Sequence, residues 1–230
     1  MKKICLIGGS GLLGKYYAKK LSIDNEVHVA DIGLKNQKKS KNLFKYYLDL
    51  NSEEKIDNFF SKNKKKPFDV LINNAAIHGP HDQRSSFGNI DILEWSSVIM
   101  TNTIAPLKVT EAFFDNVKKS IQKKIVFISS RSGSITERGT LPHHKPGGPY
   151  IYRSSKAALN AITQSLSFDL TRQGFSVIVL HPGFVKTEMA IGDTELDVST
   201  SVAGMKKIIT ESTPNDNGLF RTFEGKKIFW

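Results

Sequence analysis

The chain has 230 residues, 39% of them hydrophobic and 24% charged, with 33 Lys and Arg against 22 Asp and Glu for a formal net charge of +11. That length suits one domain with a sizeable core, and the composition is that of a globular chain rather than a disordered one. No apolar stretch approaches the roughly 18 residues of a membrane span, and a single cysteine, Cys5, excludes a disulfide framework.

In chain order, short β-branched runs alternate with amphipathic stretches, the pattern of parallel strands joined by helical crossovers. The first strand, Lys3 to Ile7, contains Cys5 and predicts a buried thiol. Met1-Lys2-Lys3 and the apolar run after it imitate a signal peptide, but Gly8, Gly9 and Gly11 cut the run short, and the cytoplasm is the expected location. A helix from Leu12 to Leu21 follows, then strands at Glu26 to Ala30 and Lys45 to Leu48, a helix from Ser52 to Lys62 and a strand at Val70 to Ile72. The next helix, Ile92 to Asn102, runs on through Ala105 to Lys119, with Pro106 predicting a start or a kink. Strands at Ile125 to Ser129 and Ser176 to His181 bracket a helix from Tyr152 to Gln173. A helix from Val198 to Glu211 and a weak strand at Gly218 to Arg221 complete the series. The class is α/β, one unit spanning 1–230.

Clustered basic residues invite a nucleic-acid reading. The clusters at Lys35 to Lys41, Lys62 to Lys66 and Lys118 to Lys124 fall near predicted helix ends or loops and lack interleaved aromatics, so they read as solvated surface, with no nucleic acid and no membrane as partner.

Two stretches carry chemistry. Gly9, Gly11 and Gly14 satisfy G-x-G-x-x-G between a strand and a helix, and Gly8, Gly11 and Gly14 recur every third residue. Small residues there let the backbone approach a pyrophosphate, while the helix start offers free N–H groups and the positive end of its dipole. Asp31, some twenty residues on, ends the second strand where a carboxylate accepts from an adenosine ribose and repels a 2′-phosphate, which favours NAD over NADP. Lys35, Lys38 and Lys39 follow closely and are the residues that would hold a phosphate instead. Asp49, after the third strand, is placed to accept from an adenine amino group and equally fits an ordinary surface loop.

Tyr152 and Lys156 are four residues apart on one predicted helix, so both lie on one face, where a cation favours the phenolate and lowers the tyrosine pKa. Tyr16 and Lys20 repeat the spacing, but within the glycine-led helix they read as packing and solvent. Tyr152 instead follows a strand ending in Ser129 and Ser130 and a loop rich in Gly and Pro.

These residues, in this order, resemble the short-chain dehydrogenase/reductase family over nearly the whole chain. The shared features are the Gly8 to Gly14 turn, Asn73-Asn74-Ala75-Ala76, Asn102, Ser129-Ser130, the Tyr152 to Lys156 pair and Pro182-Gly183. The ten residues from Tyr152 through Ala161, the segment from Leu180 through Thr187 and the ending near Trp230 are similar to the C-factor and Sniffer carbonyl-reductase branch. The resemblance implies a Rossmann-like doubly wound parallel sheet of about seven strands with helices on both faces. It implies hydride transfer between NAD or NADP and a carbonyl or alcohol substrate, with Tyr152 as general acid/base, Ser130 holding the substrate oxygen, Lys156 depressing the tyrosine pKa and binding ribose, and Asn102 fixing a water. Ser130 is chosen over Ser129 because the family uses the second serine and strand alternation lets one of the two face the site. Implied cofactor contacts are Gly8, Ser10, Gly11, Leu12, Leu13, Asp31, Asp49, Asn74, Ala75, Ala76, Tyr152, Lys156, Pro182, Gly183, Val185 and Thr187. A homodimer or homotetramer is implied as well.

Ile7 and Ala76 stand where the family often has threonine and glycine. The Ser130 to Tyr152 interval is longer than expected and carries Arg131, Arg138, His143, His144 and Lys145 against Glu137 alone. Loops 131–151 and 184–197 are expected to form the substrate site, with the first suited to an anionic substrate; adjacent His143 and His144 lack the further ligands of a metal site, and no metal is expected. Three other readings stand beside the dehydrogenase: a sugar-nucleotide epimerase or dehydratase, a catalytically idle dinucleotide sensor of C-factor type, and a nucleic-acid-binding protein.

Overall fold

The computed structural model describes residues 1–35, 37–61, 66–139, 148–186 and 196–230, without side-chain detail at 37–39. Its strands are β1 (Lys3–Ile7), β2 (Glu26–Asp31), β3 (Gln37–Ser40), β4 (Leu43–Tyr47), β5 (Val70–Asn73), β6 (Lys124–Ile128), β7 (Ser176–His181) and β8 (Leu219–Thr222). The helices are α1 (Leu12–Leu21), α2 (Glu53–Ser61), α3 (Ile92–Ile99), α4 (Ala105–Lys118), α5 (Tyr150–Thr171) and α6 (Val198–Glu211). The strands form one sheet in the order β3-β4-β2-β1-β5-β6-β7-β8. Seven of them run parallel, as expected, and β3 adds an antiparallel edge against β4.

Period-two alternation on the central strands feeds two cores, one on each face. Cys5 and Ile7 of β1, Ile125 and Phe127 of β6, and Val177 and Val179 of β7 pack with Ile56, Phe60, Phe113 and Leu159 from α2, α4 and α5. Their neighbours Ile4, Leu6, Val126, Ile178 and Leu180 pack with Tyr17, Leu21, Val202 and Met205 from α1 and α6. This is a doubly wound sheet. Among the described residues, no helix is long and apolar enough to cross a membrane.

Two expectations need correction and a third is refined. Part of the Lys35 to Lys41 cluster is not loop but β3, since lysine is tolerated on an edge strand, where it discourages pairing with other chains. Lys124 is not solvated: it is 3% exposed and its Nζ donates to the carbonyl oxygens of Ile209 and Thr210, capping the last turn of α6 with positive charge. Helices α3 and α4 are continuous as expected, but through a π turn, Met100–Ile104. Pro106 has no N–H to return to the Asn102 carbonyl, and at this point the Ala105 N–H reaches back five residues to Met100.

Candidate active site

The sheet brings the glycine turn and the serine–tyrosine–lysine group to the same edge, because β1 and β6 are parallel and both lie beside β5. Ligands of doubly wound sheets bind outside that carboxyl edge.

Each glycine of the turn has its own reason. Gly8 adopts φ +93, and a Cβ there would stand 2.3 Å from the Ala75 nitrogen; a Cβ on Gly14 would stand 2.0 Å from the Gly8 carbonyl oxygen. These two let helix, turn and neighbouring strand close on one another. Gly9 abuts Val29 in the same way. Gly11 differs, since nothing lies within 4 Å of where its Cβ would be. It is the N-cap of α1, no side chain caps that end, and the first turn holds no acidic residue. Open space above uncapped N–H groups suits a diphosphate, so the residues present fit a dinucleotide. Ser10, Leu12 and Leu13 lie in and just after the turn.

Asp31 holds the turn in shape. Its Oδ1 accepts from Ser10 Oγ at 2.6 Å and from the Gly33 N–H at 2.8 Å, and its Oδ2 accepts from the Ser10 N–H at 3.1 Å. With about two acceptor positions per oxygen, Oδ2 retains one for a ribose hydroxyl. Asp49 accepts from the Asn51 N–H and from Lys55 Nζ, each at 3.1 Å, which lowers its pKa. Asn74 Nδ2 donates to the Gly8 carbonyl at 2.6 Å, and the Asn74 and Ala75 N–H groups donate to Ile7, so the 74–76 segment is pinned over the glycine turn.

At the other corner the two serines part company. Ser129 Oγ donates to Asn160 Oδ1 at 2.7 Å, whereas Ser130 Oγ accepts from the Ser132 N–H and lies close enough to the Tyr152 hydroxyl to favour its phenolate. Lys156 is 2% exposed, and its Nζ donates to the Ile128 carbonyl at 3.1 Å and lies 5.9 Å from the Tyr152 ring centre. The expected depression of the tyrosine pKa by Lys156 is not what this arrangement produces. Burial dominates, pushing Tyr152 up to about 12 against the influence of Ser130 and pushing Lys156 down to about 8. Asn102, in the π turn, accepts from the Ile77 N–H and donates to the Ile77 carbonyl and to Ser155 Oγ. That leaves its side chain one acceptor position for a water.

The remaining sites are split. Pro182 accepts from Ser201 Oγ, Gly183 (φ +83) packs where a Cβ would meet Leu196 and Phe223, and Val185 forms a parallel bridge to Leu196. Thr187, His143, His144 and Lys145 lie outside the described residues, as does much of both loops assigned to the substrate. Arg131 is paired with Glu137, so its charge is not available in the form the loop reading required. Among the described residues no group of three His, Cys, Asp or Glu is placed to hold a metal.

One residue beside the tyrosine escaped the sequence reading. His78 stacks on the Tyr152 ring at 4.6 Å and on His81 at 4.1 Å, and burial holds its pKa down at about 4, so it is a neutral aromatic wall. A lone histidine after Asn73-Asn74-Ala75-Ala76 carries no spacing signal; only the fold brings it to Tyr152.

A family model described as short chain dehydrogenase matches residues 2–196. The C-signal protein of Myxococcus xanthus is 35% identical over 164 residues, covering 71% of this chain and 93% of that protein. Among solved structures, NADPH-bound carbonyl reductase from chicken fatty liver is 28% identical with a TM-score of 0.86 and covers 100% of this chain and 99% of that one. Carbonyl reductase Sniffer of D. melanogaster is 27% identical with a TM-score of 0.86, covering 100% of both chains. On the extent of that match and the order of its motifs, the chain belongs to the short-chain dehydrogenase family.

Proposed function

We propose that this chain is an NAD(P)-dependent oxidoreductase that transfers hydride between the nicotinamide and a carbonyl or secondary alcohol, with Tyr152 as the general acid/base. The observation that carries the reading is the grouping of Tyr152, Ser130 and the buried Lys156 ammonium at one corner of the sheet edge that also holds the uncapped Gly11 turn. The carbonyl-reductase titles of the chicken and fly neighbours support the same chemistry.

The glycine turn, Asp31 and the pinned 74–76 segment would hold the dinucleotide, which would supply the hydride. Ser130 receives the substrate oxygen in a hydrogen bond. Tyr152, kept protonated by burial, donates its proton to that oxygen as charge develops there, which favours carbonyl reduction near neutral pH. In the reverse direction Tyr152 takes the proton, and the Lys156 ammonium offsets the phenolate that results. Asn102 fixes the Ile77 backbone, and with it the wall formed by His78, and one acceptor position remains on it for a water leading to Lys156.

Asp31 favours NAD, since its carboxylate meets the ribose and a 2′-phosphate there is repelled. The chicken relative is NADPH-bound, so the reading of NAD rests on this chain's own Asp31 alone. The substrate is a small carbonyl compound, the location cytoplasmic, and the assembly a homodimer or homotetramer.

The test is turnover of aldehydes, ketones and sugars with NADH and NADPH in parallel, with Tyr152→Phe as the control. A loss of about 10²–10⁴-fold in kcat with cofactor affinity retained is expected. Turnover that Tyr152→Phe leaves intact overturns the mechanism. Dinucleotide binding without turnover of any carbonyl favours a sensor, the reading suggested by the name of the Myxococcus relative.

A further inference from the structure

A second charged hollow lies outside the catalytic corner. It is a cavity of about 280 Å³ bounded by Arg138, Arg153, Ser132, Ser154 and Tyr150, and among the described residues no carboxylate lines it. At about 100° per residue, Tyr150, Arg153, Ser154 and Ala157 share one face of α5, about 150° around from Tyr152. The hollow therefore opens away from the nicotinamide side.

Arg153 asks for a negative partner. Arg153 Nε and Nη1 are buried with no hydrogen-bond acceptor, although a guanidinium carries five donors and its buried N–H groups are ordinarily paired. Arg138 lies close enough for its charge to disfavour that of Arg153, so two cations face one space. The N-terminus of the 22-residue α5 stands at the same place with Pro149 as N-cap and no side-chain cap, adding the positive end of a helix dipole.

We propose that this hollow binds an oxyanion, a phosphate or carboxylate group of a small molecule, between Arg153 and Arg138 at the start of α5, separately from the dinucleotide. The site is also tied to the catalytic corner. Ser132, on its rim, donates its N–H to Ser130 Oγ, so an anion there bears on the turn that orients Ser130.

Thermal unfolding with inorganic phosphate, in the presence of saturating NADH so that the glycine turn is already filled, tests the idea. Saturable stabilisation beyond that of sodium chloride at equal ionic strength is expected. Arg153→Gln and Arg138→Gln should each weaken phosphate by at least about tenfold, the factor carried by one charge-assisted hydrogen bond, while Tyr152→Phe leaves it unchanged. Circular dichroism checks that Arg153→Gln is folded, and Arg138, exposed on its loop, provides the second variant. Stabilisation matched by sodium chloride, or undiminished in both arginine variants, overturns the proposal. Phosphate binding abolished by the dinucleotide overturns it too. If no dinucleotide binds at all, the same comparison in its absence still reads the arginine site, and the failure belongs to the proposed function instead.

Discussion

The two corners of the sheet edge are built from different materials. At the glycine turn the working surface is backbone, and Gly8, Gly9 and Gly14 are fitted so tightly that an added methyl would overlap main-chain atoms or a core valine. At the tyrosine corner the working surface is side chain, with Tyr152, Ser130, Lys156 and Asn102 projecting from the strand end and helices and holding the local backbone through hydrogen bonds of Asn102, Ser130 and Lys156. The backbone corner therefore depends on the absence of side-chain atoms, while the side-chain corner depends on hydrogen bonds made by the functional groups themselves.

The sharpest break in that comparison comes from Gly14→Ala. The new Cβ would fall 2.0 Å from the Gly8 carbonyl oxygen and 2.9 Å from Gly9 Cα, both backbone positions that cannot swing aside. A loss of about 3 kcal/mol or more in urea unfolding is expected, at the upper end of overpacking costs. A variant within about 1 kcal/mol of the parent shows that the turn can yield, and the contrast fails.

Lys156→Met tests the other corner. The buried ammonium has its pKa depressed from 10.5 to about 8, chiefly by desolvation. Between those values the unfolded chain keeps the proton and the folded chain does not, so the lysine makes stability rise with pH across that window. The increment is up to about 3 kcal/mol between pH 8 and 10.5. The methionine variant lacks it and is at least as stable as the parent at neutral pH, although its turnover is lost. Equal pH slopes for parent and variant in chemical unfolding count against the buried charge.

Gly11→Ala produces the smallest change in stability, about 1 kcal/mol or less as an N-cap substitution, because its Cβ meets nothing within 4 Å. Dinucleotide affinity measured by fluorescence titration should nevertheless fall about tenfold, since the methyl stands where the diphosphate approaches. Unchanged affinity places the diphosphate elsewhere.

Much of this architecture is legible in the sequence. Alternating β-branched and amphipathic stretches identify the parallel sheet, because burial on both faces demands apolar runs whatever the partner strands are. The glycine spacing was equally legible, since it is local backbone geometry written into consecutive residues. Strand β3 was not: Gln37-Lys38-Lys39-Ser40 has no apolar face, and it pairs only because β4 offers an open edge. Lys124 looked like a solvated charge because its partners, the carbonyls of Ile209 and Thr210, are more than eighty residues away.

The sequence by itself determined the class of sheet, the place of the glycine turn and the residue types at the tyrosine corner, since each depends on neighbours within a few positions. Tertiary structure decided the separation of Ser129 from Ser130, the pairing of Arg131 with Glu137, the seating of His78 on Tyr152 and the direction of the tyrosine pKa. Those outcomes depend on desolvation and on contacts between residues distant in the chain. Such energies exist only once water has been excluded by the folded whole.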